Sequence, residues 1–309
     1  MTVDPLAEIV TLLQPAARFS KLVECAGAWR VHRQQTDTDT SAGSGEPFYC
    51  AVLEGQCRVI VDGQPPVLLQ AGDFVLVPAM RDLINESLDP PPGCAVTMPI
   101  RLSDGHFRVG RQDGPANLRM RIGHCSFGSP DAALLVSLLP QMVLARGEPR
   151  LLTLMHLVGD ETRAQRPARE LVLERLLEVL LIEALRCGTG SISGPSLSAG
   201  LADKRLAAAL CALHARPEHC WTVAELAGEA SLSRSAFFAR FNRTVGLPPM
   251  EYLLAWRMAL AKRLLRDRDI GMDEVAERVG YGSASTFSTA FARYAGMPPA
   301  RYARMEKVG

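Results

Sequence analysis

A motif recurs in the last hundred residues at an offset of fifty: Phe237, Phe241, Gly246, Pro248, Pro249 and Tyr252 return as Phe287, Phe291, Gly296, Pro298, Pro299 and Tyr302. A period of this length is that of a supersecondary unit used more than once. The segment before each set repeats too, with Val223, Glu225, Leu226 and Ala227 answered by Met272, Glu274, Val275 and Ala276 at an offset of forty-nine. The extra residue falls at Gly280-Tyr281-Gly282. Two copies are too few for a solenoid, which leaves a paired recognition module.

Each copy reads as helix, turn, helix. Val223, Leu226, Ala227 and Ala230 share one helical face, and Thr222 with Glu225 three residues on forms a capping box. Ser233 caps a second helix that turns Phe237 and Phe241 inward. Arg234, Ser235, Ala236, Ala239, Arg240 and Arg243 then lie outside its apolar stripe. A small and basic outer face suits insertion into the major groove of DNA, where bulky apolar side chains would block approach to base edges. The second copy repeats the scheme with Val275, Ala276 and Val279, and with Phe287 and Phe291 inside; Ser283, Ser285, Thr286, Thr289 and Arg293 remain for the outer face. Met250 to Asp267 is helical by period, about 27 Å long at ~1.5 Å per residue. That is close to the roughly 34 Å between successive major-groove faces.

Charge follows the same division. Residues 201–309 carry 16 Lys and Arg against 11 Asp and Glu, a net of +5, while residues 1–200 carry 18 against 22, a net of −4. Only the C-terminal part has an electrostatic reason to seek phosphate. Arg234, Arg243, Arg257, Lys262, Arg263, Arg293 and Arg301 are candidates for backbone contacts that position without specifying.

This half resembles the DNA-binding domain of the AraC/XylS family of bacterial transcription regulators. The resemblance rests on Trp221 to Ala227, Met250 to Leu253, Arg257 to Leu265, Val275 to Tyr281 and Phe287 to Tyr302, and covers about 200–305. It implies double-stranded promoter DNA and RNA polymerase as partners, with activation as the commoner outcome. Two departures from the family pattern matter. In the first copy Ala239 stands where the family usually has Arg, although Arg240 follows at once; in the second, Thr289 holds the equivalent site and Ala292 stands where Lys or Arg is common, which implies weaker base readout by the second copy.

The N-terminal part differs in kind. Phe48 to Val61 alternates, Asp62-Gly63 is a hairpin turn, Val67 to Leu69 follows, and Ala71-Gly72-Asp73 leads into Phe74 to Val77. Short strands at close spacing predict a small barrel. Val52 to Gly55 and Gly72 to Pro78 resemble the two motifs of an AraC-type cupin. A metal-dependent cupin would place His and Glu ligands where Ala42, Ser44, Phe48, Met80 and Leu83 stand, so no cofactor or metal centre is expected. The competing reading, a cupin metalloenzyme fused to a DNA-localising tail, lacks its ligands.

Helical patterns follow at Asp131 to Val143, Arg150 to Gln165 and Pro167 to Arg186. The last has a broad stripe of Leu171, Val172, Leu176, Val179, Leu180, Glu183 and Ala184, suited to packing on its own domain or to a homodimer seam; family resemblance favours the seam.

The predicted class is α+β: a cupin-like β-barrel and helices, then an all-α domain of two helix-turn-helix units joined by a long linker helix. The domains are 1–187 (barrel about 1–127, helices about 130–187), a Gly- and Ser-rich linker at 188–200, and 201–309 with helix-turn-helix units at about 222–245 and 272–295. At 309 residues and 48% hydrophobic, the chain can bury two cores. Neither a signal segment nor an apolar run of ~18 residues is present, which predicts a cytoplasmic protein without a membrane partner.

Eight cysteines contain no Cys-x-x-Cys. Cys211, His214, His219 and Cys220 are the nearest approach to a metal cluster, although Cys211 and His214 occupy ordinary helical positions. Catalytic signatures are missing: Gly43-Ser44-Gly45 precedes no helix, and the six His are scattered. By resemblance, some regulators with this cupin respond to oxidants, and Cys25 lies in a similar local sequence; Cys94, before a long loop at 101–117, has no assigned pairing. A small-molecule effector or oxidant is therefore expected in the barrel, with Cys25, Cys94, Trp29, His32, Tyr49, Met80, Arg101 and His106 as candidates.

Overall fold

The computed structural model describes residues 4–34, 46–93, 95–129, 131–164, 166–187, 194–266 and 270–305. The chain divides into two compact units, Leu13–Gly194 and a second made of Met1–Leu12 with Pro195–Gly309. The first helix, α1 (Pro5–Leu13), thus groups mainly with the C-terminal helices and not with the barrel, to which sequence order assigns it. Glu8 on α1 accepts a bond from His214, over two hundred residues away, and no local pattern could anticipate that contact.

The unit from residue 13 to 194 begins with β1 (Pro15–Ala26), β2 (Arg30–Gln34), β3 (Glu46–Glu54), β4 (Gln56–Val61), β5 (Val67–Gln70), β6 (Asp73–Met80) and β7 (Asp82–Glu86). It continues through β8 (Ile100–Ser103), β9 (His106–Gly110), β10 (Leu118–Phe127), α2 (Ala132–Ser137), β11 (Val143–Arg146), α3 (Pro149–Arg163) and α4 (Arg169–Cys187). Among the described residues, one sheet runs β11-β6-β3-β10-β1-β9-β8 and the other β2-β7-β4-β5. Val23, Val52 and Val75 from the first share a core with Val59, Leu69 and Leu83 from the second.

Several boundaries differ from the sequence reading, each through a non-local contact. The alternating run Phe48 to Val61 splits at Gly55, where a Cβ would sit 2.1 Å from the Asn117 carbonyl oxygen. Asp62 and Gly63, both at positive φ, lie in the connection between β4 and β5. The loop expected at 101–117 holds the β8 and β9 pairing, and β9 lies parallel to β1. Val143, expected to end a helix, begins β11 because Val143 to Arg146 pair with β6. On α4 the buried positions are Leu173, Leu177, Leu180, Leu181, Glu183, Ala184 and Leu185, while Leu171, Val172 and Val179 are exposed. The packed face is therefore rotated from the predicted stripe.

The helical unit contains α5 (Leu197–Ala202), α6 (Lys204–Ala215), α7 (Val223–Glu229), α8 (Arg234–Val245), α9 (Pro249–Arg266), α10 (Met272–Arg278), α11 (Ala284–Ala295) and α12 (Pro299–Met305). Ser196 caps α5 by accepting from the Ala199 amide, so helical structure starts inside the segment read as a linker; residues 188–193 lie outside the described residues. The Thr222–Glu225 capping box forms, and Ser233 and Ser283 cap α8 and α11. Both latter helices end on a left-handed residue, Gly246 and Gly296. The linker helix α9 spans 18 residues; Asp267 lies outside the described residues.

The inserted residue alters the second turn. Ser231 sits at φ 51° after α7, and Gly280 takes the matching position at φ 78° after α10. A Cβ on Gly280 would approach Arg257 Nη2 to 2.4 Å and the Glu218 carbonyl to 2.7 Å, so this turn excludes a side chain sterically as well as conformationally.

Candidate functional site

The two second helices of the repeats, α8 and α11, stand on matching aromatic trios. Phe237 packs on Phe241 at 5.5 Å between centroids and Phe241 on Tyr252 at 5.7 Å; Phe287, Phe291 and Tyr302 repeat this at 5.5 and 5.6 Å. All four Phe rings are fully buried. The fifty-residue motif is thus a motif of core contacts, and it orients each helix with its other face outward.

On α8, Arg234, Ser235, Ala236, Ala239 and Arg243 are exposed as the period predicts. Arg240 departs from that reading: its Nε donates to Asp203 Oδ2 at 2.5 Å, and its side chain is 41% exposed. Burial would raise the Asp203 pKa, but the Arg240 bond and the amides of Arg205 and Leu206 outweigh it, holding the carboxyl below its ordinary range. Arg240 is thereby tied to the cap of α6. Phe238, absent from the predicted face, is 44% exposed. Phe237 and Phe241 define the buried stripe, and Phe238, about 100° round the helix from Phe237, is turned away from it; that spacing was the signal in the sequence.

On α11, Ser283, Ser285, Thr286, Thr289 and Arg293 are exposed. The hydroxyls are partly committed: Ser283 accepts from the Thr286 amide and lies 2.9 Å from Thr286 Oγ1, and Thr289 donates to the Ser285 carbonyl. Among the phosphate candidates, Arg263 and Arg301 are exposed, but Arg257 donates to the carbonyls of Pro217 and His219 at 2.7 and 2.8 Å. Lys262 lies 5.8 and 5.6 Å from the ring centres of Tyr294 and Tyr302. Those two cations brace the helices. The Cys211, His214, His219, Cys220 group is likewise not assembled as a ligand set: His214 is bonded through one ring nitrogen to Glu8 and through the other to Tyr252.

Within the sheet-rich unit, a cavity lies among Val23, Cys25, Trp29, Phe48, Asn85 and Met120, with Lys21, Arg33 and His124 also on its wall. Of the candidates read from sequence, Cys25 and Trp29 line it. His32 alternates away and pairs with Asp82 at 2.6 Å, and Arg101 pairs with Asp104. Tyr49 packs against Gly123, where a Cβ would meet its ring at 2.1 Å. Met80 is buried in the core, and His106 faces Glu24 at 3.4 Å. Lys21, Arg33, Asn85 and His124 were not singled out from sequence; the period-two series Lys21, Val23, Cys25 and Met120, Ile122, His124 were the available signal.

A cupin family model matches residues 4–188, and a helix-turn-helix domain model matches residues 226–305. Across 97% of both chains, the protein is 35% identical to an AraC-like transcription regulator of Streptomyces lividans. The chain belongs to the AraC family of transcription regulators. It is also 35% identical to the transcriptional regulator AlkR of Acinetobacter baylyi over 149 residues, 48% of this chain and 49% of the relative. A further match is the DNA-binding domain of AdpA, solved in complex with a target DNA: 33% identity over 34% of this chain and 93% of that one, with a TM-score of 0.31.

This AraC-family chain is a DNA-binding protein, and its relatives are transcription regulators. No helix among the described residues is long and apolar enough to cross a membrane. The cupin wall does not fit a metal centre, because Phe48, Met80 and Leu83 occupy ligand positions and are buried apolar side chains. Cys25 does not have the setting of a reactive thiol: it is buried, and burial, then Cys57, push its pKa far above the ordinary range. Cys57 and Cys125 are each pushed up to about 12, chiefly by burial. Cys94 lies outside the described residues.

Proposed function

We propose that this chain activates transcription by placing α8 and α11 in successive major grooves of a promoter, under control of a small molecule held in its sheet-rich unit. The supporting observation is the pair of helices on identical aromatic trios, each with an exposed face mainly of small, hydroxyl or basic residues, to which α8 adds the bulky apolar ring of Phe238. Arg234 and Arg243 supply phosphate contacts and Phe238 an apolar contact on α8, while α11 chiefly sets register through Arg293. Two of the similar proteins are named activators, RclR of Escherichia coli and RhaS of Salmonella agona.

A small molecule is favoured over an oxidant because the Cys25 thiol is buried and protonated. The exposed Leu171, Val172 and Val179 on α4 suit a homodimer seam, and RNA polymerase is the partner that activation requires. The proposed setting is the cytoplasm. Selection of binding sites from random duplex DNA, followed by affinity measurements across a salt series, tests the reading. A defined two-part site and a steep salt dependence are expected; failure to enrich any sequence overturns it.

A further inference from the structure

The inward faces of three strands change character in the same direction. On β1, Cys25 and Val23 give way to Lys21; on β10, Met120 and Ile122 give way to His124; on β2, Val31 gives way to Arg33. Strand register brings these changes to one end of the cavity, since Lys21 pairs with Ile122, His124 with Phe19, and Arg33 with Leu83 on β7. The result is an apolar slot with a cationic end.

Charge at that end is unbalanced among the described residues. Arg18 lies 3.5 Å from Glu46, and Arg33 is bonded to the same carboxylate. Lys21 has no carboxylate within ion-pair distance among the described residues; its ammonium lies 5.5 Å from the ring centres of Phe19 and Phe107. Two arginines thus share one carboxylate, and the Lys21 ammonium adds a third positive charge without a carboxylate of its own. His124 adds no charge: Arg33 donates to its Nε2 at 2.9 Å, which requires that nitrogen to be unprotonated. Asn85, 6% exposed on the wall, has a buried Oδ1 without a hydrogen-bond partner, a second polar point inside the slot.

Size limits what enters. The cavity holds about 60 Å³ of free space, room for roughly four to six water-sized groups at ~10–15 Å³ each and well below the ~150 Å³ cavity known to take benzene. A slim tail fits and a ring does not.

We infer that the cavity binds a short-chain aliphatic carboxylate, its carboxylate facing Lys21 and Arg33 and its tail lying against Val23, Cys25 and Met120. This names the effector class of the proposed regulator and rests on that reading only for its consequence, not for binding itself. Direct recognition of the anion offsets the Lys21 and Arg33 charges, and burial of the tail gives chain-length selectivity.

Calorimetric titration of the full chain with sodium butanoate, whose six non-hydrogen atoms match the space, against butan-1-ol and sodium acetate, tests it. Butanoate is expected to bind with one site per chain, at least tenfold more tightly than either control. Lys21→Met is expected to weaken it at least tenfold, Lys21→Arg to restore most of it, and Val23→Phe to abolish it with circular dichroism unchanged. Equal binding of butan-1-ol, an unaffected Lys21→Met, or no butanoate binding by protein that still selects a DNA sequence would each overturn the assignment. Butanoate binding by protein that selects no DNA sequence would instead overturn the regulator reading and leave the site standing.

Discussion

Arg240 of α8 holds Asp203, the residue that caps α6, through a 2.5 Å bond from Nε to Oδ2. A side chain placed by its helical period on the outer face is thereby drawn to a neighbouring helix. Asp203→Ala is expected to destabilise the protein by about 1 kcal/mol through loss of the cap. Arg240→Ala should cost no more than about 1 kcal/mol, because the pair is partly solvated. Both are measured by urea unfolding, and the DNA sequence selected by Arg240→Ala should match that of the parent.

Phe238 is the opposite case, an aromatic ring that spends no core packing on being exposed. Its neighbours on the outer face, Ser235 and Ala239, are small enough to let the ring reach a thymine methyl in the major groove. Phe238→Ala is expected to lower affinity for a selected site by about tenfold, or ~1.4 kcal/mol, with the unfolding midpoint unchanged. Fluorescence anisotropy on sites carrying uracil for thymine should show the parent losing affinity and the variant losing little.

The unequal turns make opposite predictions. Ser231→Gly relieves a left-handed residue and should raise stability by up to about 1 kcal/mol. Gly280→Ala introduces a Cβ into Arg257 and the Glu218 carbonyl and should lower stability by about 2 kcal/mol or more. Thermal melts of the two variants check both signs.

His214 couples stability to pH. It is bonded to Glu8 at 2.9 Å and to the Tyr252 hydroxyl at 2.7 Å, and burial lowers its pKa even though Glu8 and Asp4 pull it up. Above pH 6.5 the imidazole is neutral in both folded and unfolded chains and contributes no slope. As pH falls below about 6.5 the unfolded chain takes up a proton that the folded one refuses, so stability falls by at most ~1.4 kcal/mol per pH unit. Urea titrations between pH 7.5 and 5 should show this slope, reduced in His214→Gln.

Local physics explains which elements were legible in the sequence. The capping box at Thr222 and the cap at Ser233 are satisfied within three residues, and α7, α8, α10 and α11 follow the period of their buried side chains. Strand assignments fared less evenly: β11 owes its form to β6, almost seventy residues earlier, and the buried face of α4 is set by what it packs against. For the candidate sites, the exposed face of α8 was readable from spacing, whereas the restraint on Arg240 comes from a carboxylate thirty-seven residues away.

The repeat by itself determined that two like helices would be built on like cores, because Phe237, Phe241 and Tyr252, and their counterparts fifty residues on, are spaced for one buried face. Only the tertiary structure decided which outward side chains are free to act. Arg240 and Arg257 are engaged by partners distant in sequence, Phe238 is not, and Lys21, Arg33 and His124 reach one end of a cavity through strand register. Periodicity specifies the face a residue occupies; the charges and carbonyls that meet it there are set by packing of other elements.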